Sequence, residues 1–132
     1  LMGAGQPQDI IAAVAAGIDM FDCVLPTRCG RNSLVYTFRG PLRLRNACHA
    51  VDQQPLEEGC PCRACLHSRS YIRHLFLSGE MLGPILASIH NLTFYQRLVA
   101  RLRGAILAGN FPAVCRELLA GLTRESSAPE AH

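Results

Sequence analysis

Gly17-Ile-Asp-Met-Phe-Asp22-Cys-Val-Leu-Pro26-Thr-Arg28-Cys-Gly-Arg31-Asn32 ends an apolar run on a carboxylate and sets two arginines just beyond it. Read as a strand, residues 18–24 place Ile18, Met20, Asp22 and Val24 on one face and Asp19, Phe21 and Cys23 on the other, because side chains alternate across a strand. Both faces are mostly apolar. That is the pattern of a strand covered on two sides in an α/β protein, and Pro26 ends it by lacking the donor a ladder needs. A carboxylate in such a half-buried setting costs free energy unless it is paired, hydrogen-bonded or catalytic. Two readings of Asp22 therefore stand: a catalytic group at the C-terminal end of a parallel strand, or a carboxylate that caps the following turn or pairs with Arg28 or Arg31.

Upstream, Leu1-Met-Gly-Ala-Gly reads as a strand running into a glycine turn, with no lead-in, so the chain is expected to continue before Leu1. Pro7 and Asp9 suit the first turn of a helix, Ile10, Ile11 and Val14 form its apolar stripe, and Gly17 suits its end. Strand, helix, strand within this short span is a βαβ unit, which predicts parallel neighbours. Downstream, the arginines lie in a loop, and Ser33 to Phe38 and Leu42 to Leu44 read as a hairpin around Arg39-Gly40-Pro41. Ser68 caps a helix with an apolar face of Tyr71, Ile72, Leu75 and Phe76, and Gly79 ends it. Gly83-Pro84 interrupts an apolar segment leading to His90, and Phe94, Tyr95, Leu98, Leu102 and Ile106 recur at helical spacing, predicting an amphipathic helix over 92–108 with its aromatics in the core. A short helix follows Pro112, and the tail from Thr123 is polar and expected to fray.

The chain has 132 residues, a formal net charge of +3 and nearly half hydrophobic residues, enough for one modest core. No apolar run approaches the roughly 18 residues a bilayer span needs, and the N-terminus has no basic region followed by an apolar block. These features point to a soluble cytoplasmic protein. Between Cys23 and Val51 there is no acidic residue, while Arg28, Arg31, Arg39, Arg43 and Arg45 all fall there. Such a patch suits a phosphate backbone, or is simply a solvated basic face.

Seven cysteines are present, three of them in Cys60-Pro-Cys62-Arg-Ala-Cys65. In a cytosolic chain this clustering favours metal over disulfides. Zinc takes four sulfur or nitrogen ligands tetrahedrally, so a fourth is needed from His49, His67, His74, His90 or Cys48. A site closed by four such ligands has no open position and serves structure.

Taken together, Leu1-Met-Gly-Ala-Gly, the Gly17–Asn32 stretch, Leu44-Arg-Asn-Ala, the cysteine cluster, Ser68-Arg-Ser-Tyr-Ile-Arg-His-Leu, Gly79-Glu-Met-Leu-Gly and Ile89-His-Asn-Leu-Thr-Phe-Tyr resemble the queuine tRNA-ribosyltransferases, or tRNA-guanine transglycosylases. The resemblance runs in order over residues 1 to about 120 and covers the C-terminal third of that family's enzyme. It implies an α/β fold: the last part of a (β/α)8 TIM barrel, with a zinc-binding subdomain and closing helices. Residues 1–45 would carry the last barrel strands and the catalytic and RNA-recognition loops, 46–91 the zinc subdomain, 92–122 the C-terminal helices, and 123–132 a disordered tail.

The same resemblance makes Asp22 the nucleophile at ribose C1′ in exchanging wobble guanine of tRNA for a 7-deazaguanine, queuine or its precursor. It implies RNA contacts from Gly3, Ala4, Gly5, Gln6, Pro7, Gln8 and Asp9 and from Thr27, Arg28, Cys29, Gly30 and Arg31. It assigns one structural zinc ion to Cys60, Cys62, Cys65 and His90. Partners would be the tRNA anticodon loop, the guanine or 7-deazaguanine base, and a second copy in a homodimer of the full-length protein. The family's proton-transferring aspartate and base-recognition residues belong to earlier barrel strands, and a whole barrel needs about 250 residues, so these 132 residues alone are expected to be inert. The alternative is a non-catalytic, zinc-containing tRNA-binding or partner subunit of the same fold.

Overall fold

The computed structural model describes residues 1–124. Five helices and one small sheet follow in order: α1 (Pro7–Ala15), α2 (Leu25–Arg31), β1 (Leu34–Val35), β2 (Leu42–Arg43), α3 (Arg69–Leu77), α4 (Leu82–Ala108) and α5 (Phe111–Leu122), with short 3₁₀ turns at Ala47–His49 and Arg63–Leu66. The architecture is helix-rich, and among the described residues no barrel is formed.

The organising element is α4, whose 27 residues make a rod about 40 Å long at 1.5 Å per residue. Two apolar clusters share it. Leu86 and Ala87 pack with Val35, Leu44, Leu56, Cys62, Ala64, Ile72, Leu75 and Phe76. Phe94, Tyr95, Leu98 and Leu102 pack with Ile10 and Ile11 of α1, Tyr36, and Leu118 and Leu122 of α5. His90 and Asn91, both fully buried, lie between the two groups along the helix. The boundary expected between residues 91 and 92 falls inside this helix.

Several expected elements form as read. Helix α1 begins at Pro7 and buries Ile10 and Ile11. Leu34 pairs antiparallel with Arg43 and Val35 with Leu42, a hairpin shorter than expected. Ser68 caps α3 by accepting a hydrogen bond from the Tyr71 N–H at 3.1 Å. Helix α4 stops at Gly109, whose φ of 75° closes its last turn as only glycine does readily.

Four expectations are corrected. The strand over 18–24 reduces to one parallel bridge, Met2 to Asp22. Leu1–Gly3 is its only partner among the described residues; Met20 and Val24 are therefore 79 % and 66 % exposed, and Asp22 is exposed rather than half-buried. The arginine loop is helical, because Pro26, read as a strand terminator, occupies the first turn of α2, where its missing N–H has no partner to lose. Gly83-Pro84 is no interruption for the same reason: both lie in the first turn of α4, which starts ten residues before the expected helix. Ile106 and Tyr71, assigned to apolar faces, are 54 % and 38 % exposed. Of the expected frayed tail, residues 125–132 lie outside the described residues.

Candidate metal centre and nucleic-acid interface

Three cysteines reach the metal site on an irregular segment, Cys65 from the 3₁₀ turn and Cys60 and Cys62 just before it, while His90 reaches it from α4. Their four ligand atoms lie within 4.8 Å of one another. His90 Nδ1 stands 3.8, 3.5 and 3.4 Å from the sulfurs of Cys60, Cys62 and Cys65. A tetrahedral zinc with bonds of about 2.3 Å to sulfur and 2.0–2.1 Å to nitrogen requires N···S separations of about 3.6 Å. The donor set and its spacing therefore fit one zinc ion.

The outer nitrogen of the ligand is fixed as well. His90 Nε2 is 2.8 Å from the Tyr36 carbonyl, which only accepts, so Nε2 carries the proton and Nδ1 keeps the lone pair a metal needs. Among the thiols, hydrogen bonding from Cys65 holds Cys62 down to about 3, while that same bond and then burial push Cys65 up. A lowered Cys62 pKa favours the thiolate, the form that ligates. The other candidates for fourth ligand are placed elsewhere: His49 is buried beside Asp52, His67 lies against Tyr71 with ring centres 5.0 Å apart, His74 lies by Ser78, and Cys48 is exposed.

Asp22 sits where the two N-terminal segments meet. Its N–H donates to the Leu1 carbonyl at 3.1 Å and its carbonyl accepts from Gly3 at 2.8 Å. The carboxylate makes no ion pair among the described residues, nor do Arg28 and Arg31 on α2. The capping or ion-pair reading of Asp22 is not realised.

The two expected RNA-contacting segments converge on one hydroxyl. Tyr36 Oη is 3.5 Å from Cys29 Sγ and donates to Gln6 Oε1 at 3.4 Å. Burial, and then Cys29, push the Tyr36 phenol well above its ordinary range, so it stays a protonated donor. Tyr95 Oη donates to the Gly5 carbonyl. Gly5 has no room for a side chain, since a Cβ would stand 2.4 Å from Cys23 Sγ. Gln6 and Cys29 thus share the Tyr36 hydroxyl, Gly3 is bonded to Asp22, and Arg28 and Arg31 are exposed on α2. A separate cleft of about 680 Å³, lined by Phe38, Arg39, Glu57, Arg69 and Arg97, contains none of the expected site residues.

Sequence reasoning missed Tyr36 and Asn91. Asn91 donates from Nδ2 to the carbonyls of Pro26 and Leu34 at 2.9 and 3.0 Å and accepts the Tyr36 N–H at 3.0 Å. The available signal was an amide inside the apolar run of a helix, a place it occupies only with partners.

The described residues thus bring together a Cys3His cluster that fits one metal ion and, through α4, the segment bearing Asp22, Arg28 and Arg31. The sequence model of one family, described as queuine tRNA-ribosyltransferase, matches residues 1–124. The chain belongs to that family. It is 57 % identical over 114 residues to the queuine tRNA-ribosyltransferase of Novosphingobium aromaticivorans and 56 % identical over 114 residues to that of Gluconacetobacter diazotrophicus, each match covering 86 % of this chain and 30 % of the relative. The protein of that name from Xylella fastidiosa strain M23 is 50 % identical over 118 residues, 88 % of this chain and 31 % of its own. The chain thus spans about 30 % of the length of these relatives.

Proposed function

We propose that this chain is the segment of a tRNA-guanine transglycosylase that supplies the nucleophile, part of the RNA surface and a structural zinc site, in a full-length enzyme built on a (β/α)8 barrel. The enzyme exchanges wobble guanine of tRNA for queuine or its 7-deazaguanine precursor. The observation that carries this is the exposed, unpaired Asp22 on the bridge to Met2, followed directly by the helix bearing Arg28 and Arg31, in a chain of this family.

Asp22 carboxylate attacks ribose C1′ as the C1′–N9 bond to guanine breaks, with the electron pair of that bond leaving on the base, which takes up a proton. The product is an ester between Asp22 and C1′. N9 of the incoming base, giving up its proton, then attacks C1′ and expels the carboxylate. Two inversions return the original configuration, and a carboxylate beside an oxocarbenium-like centre both stabilises and captures it. The nucleotide must leave its loop for C1′ to be reached, which calls for phosphate and sugar contacts around the pocket. Arg28, Arg31, Thr27, Cys29 and Gly30 on α2, and Gly3 to Asp9, offer side chains and backbone for them. Cys60, Cys62, Cys65 and His90 would hold a zinc ion that orders the segment around it and supplies no reacting group. The reaction belongs to the cytoplasm; no helix among the described residues is long and apolar enough to cross a membrane. A homodimer of the full-length protein rests on the resemblance alone.

The test is denaturing electrophoresis of the full-length enzyme carrying this segment, incubated with tRNA. A covalent enzyme–tRNA band should form with the native residue and be absent with Asp22→Asn. A band of equal strength in that variant refutes Asp22 as nucleophile.

A further inference from the structure

We infer that Asn91 is a positioning residue for this transglycosylation: its buried carboxamide ties the first turn of α2, and so the segment from Asp22 to Arg31, to the helix that carries the metal ligand His90. The inference rests on the reading of Asp22 as nucleophile.

The three groups that Asn91 binds belong to different parts of the chain. Pro26 opens α2 four residues after Asp22, Leu34 lies in β1, and Tyr36 follows β1. All three bonds are 3.0 Å or shorter. A carboxamide offers two donors and an acceptor with two lone pairs, so both donors and one acceptor site are committed. Helix α2 cannot fix its own place. It has seven residues, well below the length at which a helix persists alone, and no side chain caps its N-terminus. At its other end Gly30 meets Ser88, where a Cβ would lie 2.8 Å from the Ser88 nitrogen. These two contacts of α2 thus reach the same stretch of α4, residues 88–91.

The neighbouring residue extends the connection to the metal. His90 donates from Nε2 to the Tyr36 carbonyl, while Asn91 accepts from the Tyr36 N–H. Both polar groups of the Tyr36 backbone are therefore held by consecutive residues of α4, one of which presents Nδ1 to the cysteines. An apolar side chain of similar size would fill the site of Asn91. It would not aim α2.

The experiment measures single-turnover formation of the covalent tRNA adduct, together with metal content, in the full-length enzyme carrying this segment. The variants are Asn91→Leu, which keeps the branched shape and removes all three bonds, and Asn91→Ser, which offers one hydroxyl in place of the carboxamide. Expected is a rate about 10- to 100-fold lower for Asn91→Leu, the scale set by a misplacement of roughly 1 Å, with one metal per chain and an unchanged KM for the incoming base. Asn91→Ser should recover part of that rate. If Asn91→Leu does not fold, Asn91→Ser is judged alone, and a reduced rate at full metal content supports the inference. A native rate in whichever variant folds overturns it, as does a rate that falls only in proportion to lost metal. If the native enzyme forms no adduct the functional reading itself fails; if it does, and Asp22→Asn does not, a native rate in the Asn91 variants overturns this inference alone.

Discussion

Stripping the metal should unfold one segment and spare the rest. Residues 59–62 have no regular structure and 63–65 only part of one 3₁₀ turn, and ordering the seven costs roughly 7–14 kcal/mol at about 1–2 kcal/mol per residue. The apolar groups they and their neighbours bury are few: Leu56 and Ala64 are fully buried and Cys62 nearly so. Those side chains return on the order of 4 kcal/mol. A structural zinc supplies about 10–16 kcal/mol, enough to offset the remainder. The assay is amide hydrogen exchange before and after chelation. The N–H groups of Cys60, Cys65 and His67, bonded to the carbonyls of Glu57, Cys62 and Ala64 at 3.3, 3.2 and 3.1 Å, should lose protection. Those of Leu98 and Leu102, in the other apolar cluster, should keep it. Unchanged protection at Cys65 and His67 in metal-free protein would refute the reasoning.

Three further outcomes follow from single sites. Cys62→Ser should abolish the stoichiometric metal, read as metal per chain by atomic absorption; full metal content would remove Cys62 from the ligand set. Burial lowers the pKa of His49; Arg69 and Arg73 add to this, and Asp52 at 3.5 Å opposes it. Because the folded state holds the proton less tightly than the unfolded chain, the His49 contribution to stability is present above about pH 6.5 and is lost as pH falls below that value toward the lower folded pKa. Denaturant unfolding across that window should show a slope for the native chain that His49→Gln diminishes. Gly104 lies inside α4 with nothing within 4 Å of a Cβ, so Gly104→Ala should raise stability by about 0.5–1 kcal/mol in the same assay.

What the sequence disclosed was what is local. Cys60, Cys62 and Cys65 declare a metal site because three thiols within six residues have little other use, and Ser68 and Gly79 mark the ends of α3 by their own backbone chemistry. The fourth ligand was open on spacing alone, since His67 is nearer in sequence and His90 reaches the cluster only because α3 and α4 pack together. Pro26 and Pro84 were misread for a common reason: a proline that ends one element also starts the next, and only the following backbone tells which. The fate of the 18–24 strand was not legible at all. Its burial depends on neighbouring strands, and the described residues provide one short partner.

Asn91 shows why residue type alone understates a site. Successive residues of a helix point about 100° apart, so no single neighbour supplies all the partners of His90 and Asn91. Here the cysteine cluster takes one side of α4, and α2 with β1 takes the other. The Tyr36 peptide groups lie between them, bonded to both. A rotation of α4 large enough to release the metal ligand would break the bonds to Pro26 and Leu34 in the same movement. The metal cluster and the segment bearing Asp22 thus share one mechanical element, and a closed site that performs no chemistry acquires a direct bearing on where the proposed nucleophile stands.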